Sequence, residues 1–174
     1  MRNLLETTAL AATLALAPLA AHAANLVETL EGKEDYSTFL KALEASDAKW
    51  FVREDVEYTA FVPNNAAFDA LPEGVLDALL KPENRPKLDA TLERHVVPDL
   101  KIEAGEFGKH PTLDVAEGES LDVKLDGSTI SVENATVTDA DIAVDQGFAH
   151  GIDKVLMPEM VVQAMKYTGE YPKD

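Results

Sequence analysis

Apolar side chains fall at Tyr36, Phe39, Leu40 and Leu43 in the stretch "DYSTFLKALEASD", the i, i+3, i+4, i+7 spacing of one helix face. Asp35 or Ser37 is placed to cap that helix. "EYTAFVP" then reads as a strand, ended by Pro63, which cannot continue a hydrogen-bonded ladder. Asn64 follows as an N-cap for "NAAFDAL", which returns Phe68 and Leu71 to the core. Pro72 closes that corner, and "EGVLDALL" makes another short helix. "RPKLDATLERHVVP" predicts a longer one, with Pro86 in its first turn, Leu88, Leu92 and His95 on one face, and Pro98 as its stop.

From Leu100 onward the helical period gives way to alternation. "LDVKLDGSTISV" sets Leu121, Val123 and Leu125 opposite Ile130 and Val132 around Asp126-Gly127, a hairpin signal. "ATVTDADIAV" and "GFAHGIDKVLMP" supply two or three more strands, and "EMVVQAMKY" after Pro158 a terminal helix. No internal repeat, low-complexity run or linker interrupts residues 24–174. Helices first and strands later make an α+β domain.

The first 23 residues change the picture of where the chain acts. Arg2 precedes an apolar run from Thr7 to Ala20, and Ala21-His22-Ala23 forms a small-x-small cleavage pattern. This is the layout of a secretory signal peptide, too short for a permanent span, with Glu6 an unusual residue in its first part. Residues 24–174 then form the mature domain, beginning at Ala24 and secreted or periplasmic. Removal of the segment takes one arginine and one glutamate and leaves the net charge at −17. So acidic a surface excludes nucleic acid and an electrostatic hold on anionic lipid, both of which need clustered Lys and Arg. The chain has no cysteine, so the fold rests on its core rather than on disulfides, and a mature N-terminal cysteine for lipidation is excluded. The polar end "KYTGEYPKD" offers no hydrophobic anchor. A soluble monomer is expected.

Candidate chemistry is sparse. His95, His110 and His150 stand apart, without HExxH or short His/Cys spacing for zinc. His95 continues a helix face and His150 alternates in phase with Phe148 and Ile152, so both read as buried, hydrogen-bonded core residues. The serines lack a G-x-S-x-G elbow. Asp139, Asp141 and Asp145 lie close together, but not in the order of an EF-hand loop, and read as a solvated edge. No catalytic residue, metal ligand or cofactor site is assigned. The Asn134-Ala135-Thr136 sequon matters only in a glycosylating host.

"TAFVPNNAAFDALP" resembles the first signature of the fasciclin (FAS1) domain, written close to "TVFAPTNEAFAKLP", with Thr59, Phe61, Pro63, Asn65, Ala67, Phe68, Leu71 and Pro72 matching. "LERHVVP" is similar to the family's "LLYHVVP" at His95, Val96, Val97 and Pro98. "GFAHGIDKVLMP" is similar to "GVIHVIDKVLLP" at Gly147, His150, Ile152, Asp153, Lys154, Val155, Leu156 and Pro158. "NLVETLEGKEDYSTFLKAL" also looks like the family's opening segment, so the resemblance covers nearly all of residues 24–174. It implies a β-wedge of about seven strands with N-terminal and flanking helices, Asn64 joining the motif residues as structural positions, and adhesion rather than catalysis. Two departures stand out. Arg94 replaces the tyrosine of a Tyr-His pair used for adhesion by some animal members, and Gly151 replaces a β-branched residue, removing side-chain packing. In such members an Asp-Ile pair before the closing signature is linked to integrin binding, a place held here by Asp141 and Ile142.

The expected function is therefore non-enzymatic contact with a cell-surface or extracellular protein or polysaccharide, through Asp141, Ile142 and Asp145. A periplasmic small-molecule or metal binder is the alternative, favoured by converging aspartates or an apolar pocket. A hydrolase would need a polar cleft with a nucleophile beside His95 or His150.

Overall fold

The computed structural model describes residues 24–48 and 56–172; the expected signal segment, residues 1–23, lies outside them. Among the described residues, six α-helices and seven strands follow one another as α1 (Leu26–Glu31), α2 (Ser37–Ala45), β1 (Tyr58–Pro63), α3 (Asn65–Asp69), α4 (Val75–Leu79), α5 (Arg85–Glu93), β2 (Val96–Pro98), β3 (Thr112–Asp114), β4 (Ser120–Asp126), β5 (Thr129–Val132), β6 (Ala135–Val144), β7 (Gly147–Ile152) and α6 (Glu159–Thr168). The strands form one mixed sheet in the order β2-β1-β7-β6-β5-β4-β3, in which only β1 and β7 run parallel. The sheet curls until its edges approach, and Ala116 N–H donates to Val96 O across the gap at 2.9 Å.

Strand β1 explains the layering. It is buried on both faces, as its mostly apolar run suggests, and its one buried hydroxyl, Thr59, is hydrogen-bonded. Tyr58, Ala60 and Val62 face a helix-side core with Leu26, Phe39, Leu79, Leu92 and Met165. Phe61 faces a second core inside the curl with Ile102, Phe107, Leu121, Val132 and Ile152.

The asparagine pair after β1 builds the corner. Asn64 Oδ1 accepts from Ala67 N–H at 2.8 Å and caps α3, its own helix. Asn65 caps a different helix: its Oδ1 accepts from Thr38 N–H at 2.9 Å and its Nδ2 donates to Glu34 O at 2.9 Å. Neither Asp35 nor Ser37 caps α2 with its side chain; the cap arrives from the corner.

Four local readings are corrected. Helix α5 ends at Glu93, and Val96–Pro98 is a strand paired with β1, because β-branched valines fit a ladder better than a last helical turn. Residues Ala104–Lys109, within the stretch expected to alternate, form a 3₁₀ turn that inserts Phe107 into the inner core. The β4–β5 loop is Gly127-Ser128, since Asp126 pairs with Thr129. At Gly151 no packing is missing: a Cβ there would lie 2.1 Å from Tyr36 Oη, so the tyrosine occupies the space a β-branched side chain would need. Gly147 is under similar pressure, its Cβ position being 1.7 Å from Tyr58 O.

Candidate functional site

Strand β6 does not run evenly beside β7. Asp139 pairs with Gly151 and Ile142 with Ala149, so three steps on one strand match two on the other. That extra residue is a bulge, and Asp141 sits in it with φ 57°, a left-handed conformation that aspartate tolerates better than most residues. Its backbone N–H donates to His150 Nδ1 at 3.2 Å, and its Oδ1 accepts from Ala104 N–H at 2.7 Å. His150 Nε2 in turn donates to Ile102 O at 2.9 Å. The ring is fully buried, stacked near Phe61 and edge-on to Phe107. Burial holds it below the usual histidine range.

The residues expected to meet a partner are thus placed differently from one another. Asp141 is exposed, with one oxygen committed to the Ala104 turn. Asp145 is half-buried, and its Oδ1 accepts from Gln146 N–H at 2.8 Å. Ile142 is a core residue opposite Ala149, with its side chain among the helix-side cluster. The third aspartate, Asp139, is bonded to Lys33 Nζ at 2.8 Å and accepts from Tyr36 Oη at 3.4 Å. Burial, with the Asp139 carboxylate second, pushes that phenol up to about 12. The three carboxylates therefore serve three separate local structures. They do not converge.

The remaining motif residues tie elements together. Thr59 Oγ1 donates to Leu100 O at 2.7 Å and accepts from Ile102 N–H at 2.9 Å. Asp153 Oδ1 accepts from Thr136 N–H at 2.7 Å. His95 is 1% exposed; its Nδ1 donates to Thr91 O at 2.7 Å and its Nε2 accepts from Leu156 N–H at 3.0 Å. It bridges the end of α5 to the segment after β7. Burial lowers it to about 4, so it is neutral at pH 7. With both nitrogens of His95 and His150 bonded to the backbone, neither ring has a lone pair or proton left for a nucleophile.

Beside His95 lies a feature that the sequence did not disclose. Arg94 is buried, and its Nη1 bonds Glu117 Oε2 at 3.2 Å and Glu119 Oε2, while Nη2 stands 3.7 Å from Glu133 Oε1. Burial raises the Glu117 carboxyl against the opposing pull of Arg94. Glu117, Glu119 and Glu133 come from the β3–β4 loop and the β5–β6 turn, so no local spacing could have joined them. The one available sign was a lone arginine at a motif position in an acidic chain. A cavity of about 360 Å³ opens against Arg94, walled by Leu71 and Pro72 from the corner, Val155 after β7, and Val162 on α6. No group of three or more His, Asp or Glu among the described residues is arranged to hold a metal ion.

No helix among the described residues is long and apolar enough to cross a membrane. Residues 34–158 match the family described as Fasciclin domain. Protein sll1483 of Synechocystis sp. is 38% identical over 138 residues, covering 79% of this chain and 76% of that protein. Human periostin is 28% identical over 147 residues; the match takes in 84% of this chain but only 17% of periostin. A FAS1 domain pair from the insect cell adhesion molecule Fasciclin I superposes with a TM-score of 0.69 over 80% of this chain and 52% of that one, at 19% identity, which shows a shared fold. The chain belongs to the fasciclin domain family.

Proposed function

We propose that this protein is an exported, non-enzymatic contact domain that attaches to a cell-surface or extracellular protein or polysaccharide. Membership of the fasciclin family carries the reading, together with the fold shared with a cell adhesion molecule. Backbone-bonded histidines support it, since neither His95 nor His150 keeps a ring nitrogen free to act as a general base.

Export rests on the signal-like residues 1–23. The residues just after the proposed cut are tied into the fold: Ala24 O accepts from Asp145 N–H at 3.1 Å, and Asn25 Oδ1 caps α1 through Glu28 N–H. The mass of protein recovered from outside the cytoplasm should be that of a chain starting at Ala24; a chain retaining Met1 would refute the cut.

The contact surface proposed is the bulged edge of β6, where Asp141 and the neighbouring Ala140 and Ala143 are exposed. An Asp141→Ala, Asp145→Ala double variant tests it. Beads coated with the folded variant should lose most of their attachment to the producing cells; undiminished attachment would exclude this edge. The alternative, a small-molecule binder, is favoured by one observation, the cavity at Arg94.

A further inference from the structure

The cavity against Arg94 combines two kinds of wall. One is apolar, built by Leu71, Val155 and Val162; the other carries Arg94, Glu133 and Lys154, charges of both signs. Its size falls within the range of small-ligand sites, which are concave and apolar with a few converging polar groups.

Arg94 is only partly spent. Both of its hydrogen bonds to carboxylates leave from Nη1, and Nη2 is beyond hydrogen-bond length of Glu133. Tyr58 Oη is the only fully enclosed side-chain polar atom without a partner among the described residues. The unused guanidinium N–H groups are therefore open, and the space that Arg94 lines is this cavity. Lys154 is exposed and forms no ion pair among the described residues.

The charges select a ligand class. A simple anion would meet Glu133 within the cavity, Glu117 and Glu119 behind Arg94, and a molecule of net charge −17. A simple cation would meet Arg94 and Lys154. A zwitterion satisfies both. The 3.7 Å between Arg94 Nη2 and Glu133 Oε1 suits a carboxylate and an ammonium borne on one carbon, each facing the group of opposite charge.

We propose that this cavity binds an α-amino acid with an apolar side chain. Its carboxylate is held by Arg94 and Lys154, its ammonium by Glu133, and its side chain lies against Leu71, Val155 and Val162. Glu117 and Glu119 hold the guanidinium in place from behind. The site is independent of the β6 edge, so loss of attachment through one leaves the other unchanged.

Titration of the full chain with L-leucine and with L-phenylalanine, followed by backbone amide NMR shifts, tests the assignment. Saturable shifts are expected at Lys154 and Asn134, with N-acetyl-L-leucine and L-leucinamide each binding about tenfold or more weakly, because each lacks one charge. Val162→Trp should fill the cavity and abolish the shifts. Lys154→Met, at an exposed position that leaves the fold intact, should weaken binding several-fold. The proposal is overturned if neither amino acid produces saturable shifts by about 20 mM, a concentration beyond weak millimolar binding. It is equally overturned if the singly charged analogues bind as well as the amino acids, or if folded Val162→Trp still binds.

Discussion

His95 and His150 sit on the same architecture with opposite tautomers. His95 carries its proton on Nδ1 for Thr91 O, and His150 on Nε2 for Ile102 O, each receiving a backbone N–H on the other nitrogen. Both must be neutral for those bonds to exist, and burial keeps both below the ordinary histidine value. The unfolded chain takes up protons near the ordinary value of about 6.5 that the folded chain refuses. Stability is therefore full above that pH and falls as pH drops toward about 4, where His95 itself titrates in the fold. His95→Ala removes one donor and one acceptor partner and should cost about 1–3 kcal/mol in urea unfolding at pH 7, with a shallower loss between pH 6.5 and 4. Unchanged stability and an unchanged acid profile would contradict the bridging role. These two rings were legible in the sequence because each continued an apolar phase. Arg94, one residue away from His95, was legible only as a departure from a motif, since its carboxylate partners lie 23 to 39 positions further along the chain.

Elements fared according to how local their causes are. The β1 strand, the Asn64 cap and the terminal helix follow from neighbours within a turn or a ladder, and they appear where the pattern put them. The α2 cap does not, because Asn65 supplies it from 27 positions away. The irregularities of β6 left no mark in the pattern: two register shifts against β7 cancel in parity, so Ala135 faces the inner core and Ile142 and Val144 the helix-side core, as unbroken alternation would place them. Arg94 holds three elements together, the end of α5, the β3–β4 loop and the β5–β6 turn. Arg94→Met leaves Glu117 buried without its counter-charge, a loss of about 3 kcal/mol or more at pH 7. The Glu117 carboxyl, already raised by burial, should then hold a proton more readily. A carboxyl whose folded value lies above its unfolded one loses stability as pH rises, so the variant should be closer to wild type at pH 5 than at pH 7. A penalty independent of pH would mean that Arg94 acts through packing alone.

At the scale of the whole molecule, two cores share one sheet, with Tyr58 and Phe61 on opposite faces of the same strand. The α+β class and the family were readable because three motifs in order mark the strand corner, the α5–β2 junction and the closing strand. What the fold presents outward was less readable: alternation separates Asp141 from Ile142, but the left-handed backbone at Asp141 and its bond to Ala104 N–H, 37 positions away, have no local sign. A domain of net charge −17 resists casual association, so the proposed attachment requires a specific folded surface. The most direct test is attachment of beads to the producing cells, comparing a native coat with a urea-unfolded coat at equal density. The native coat should attach saturably and be competed by soluble folded protein, and the unfolded coat should not attach. Native-coated beads that attach no better than blocked ones, or as well as unfolded-coated ones, would contradict it.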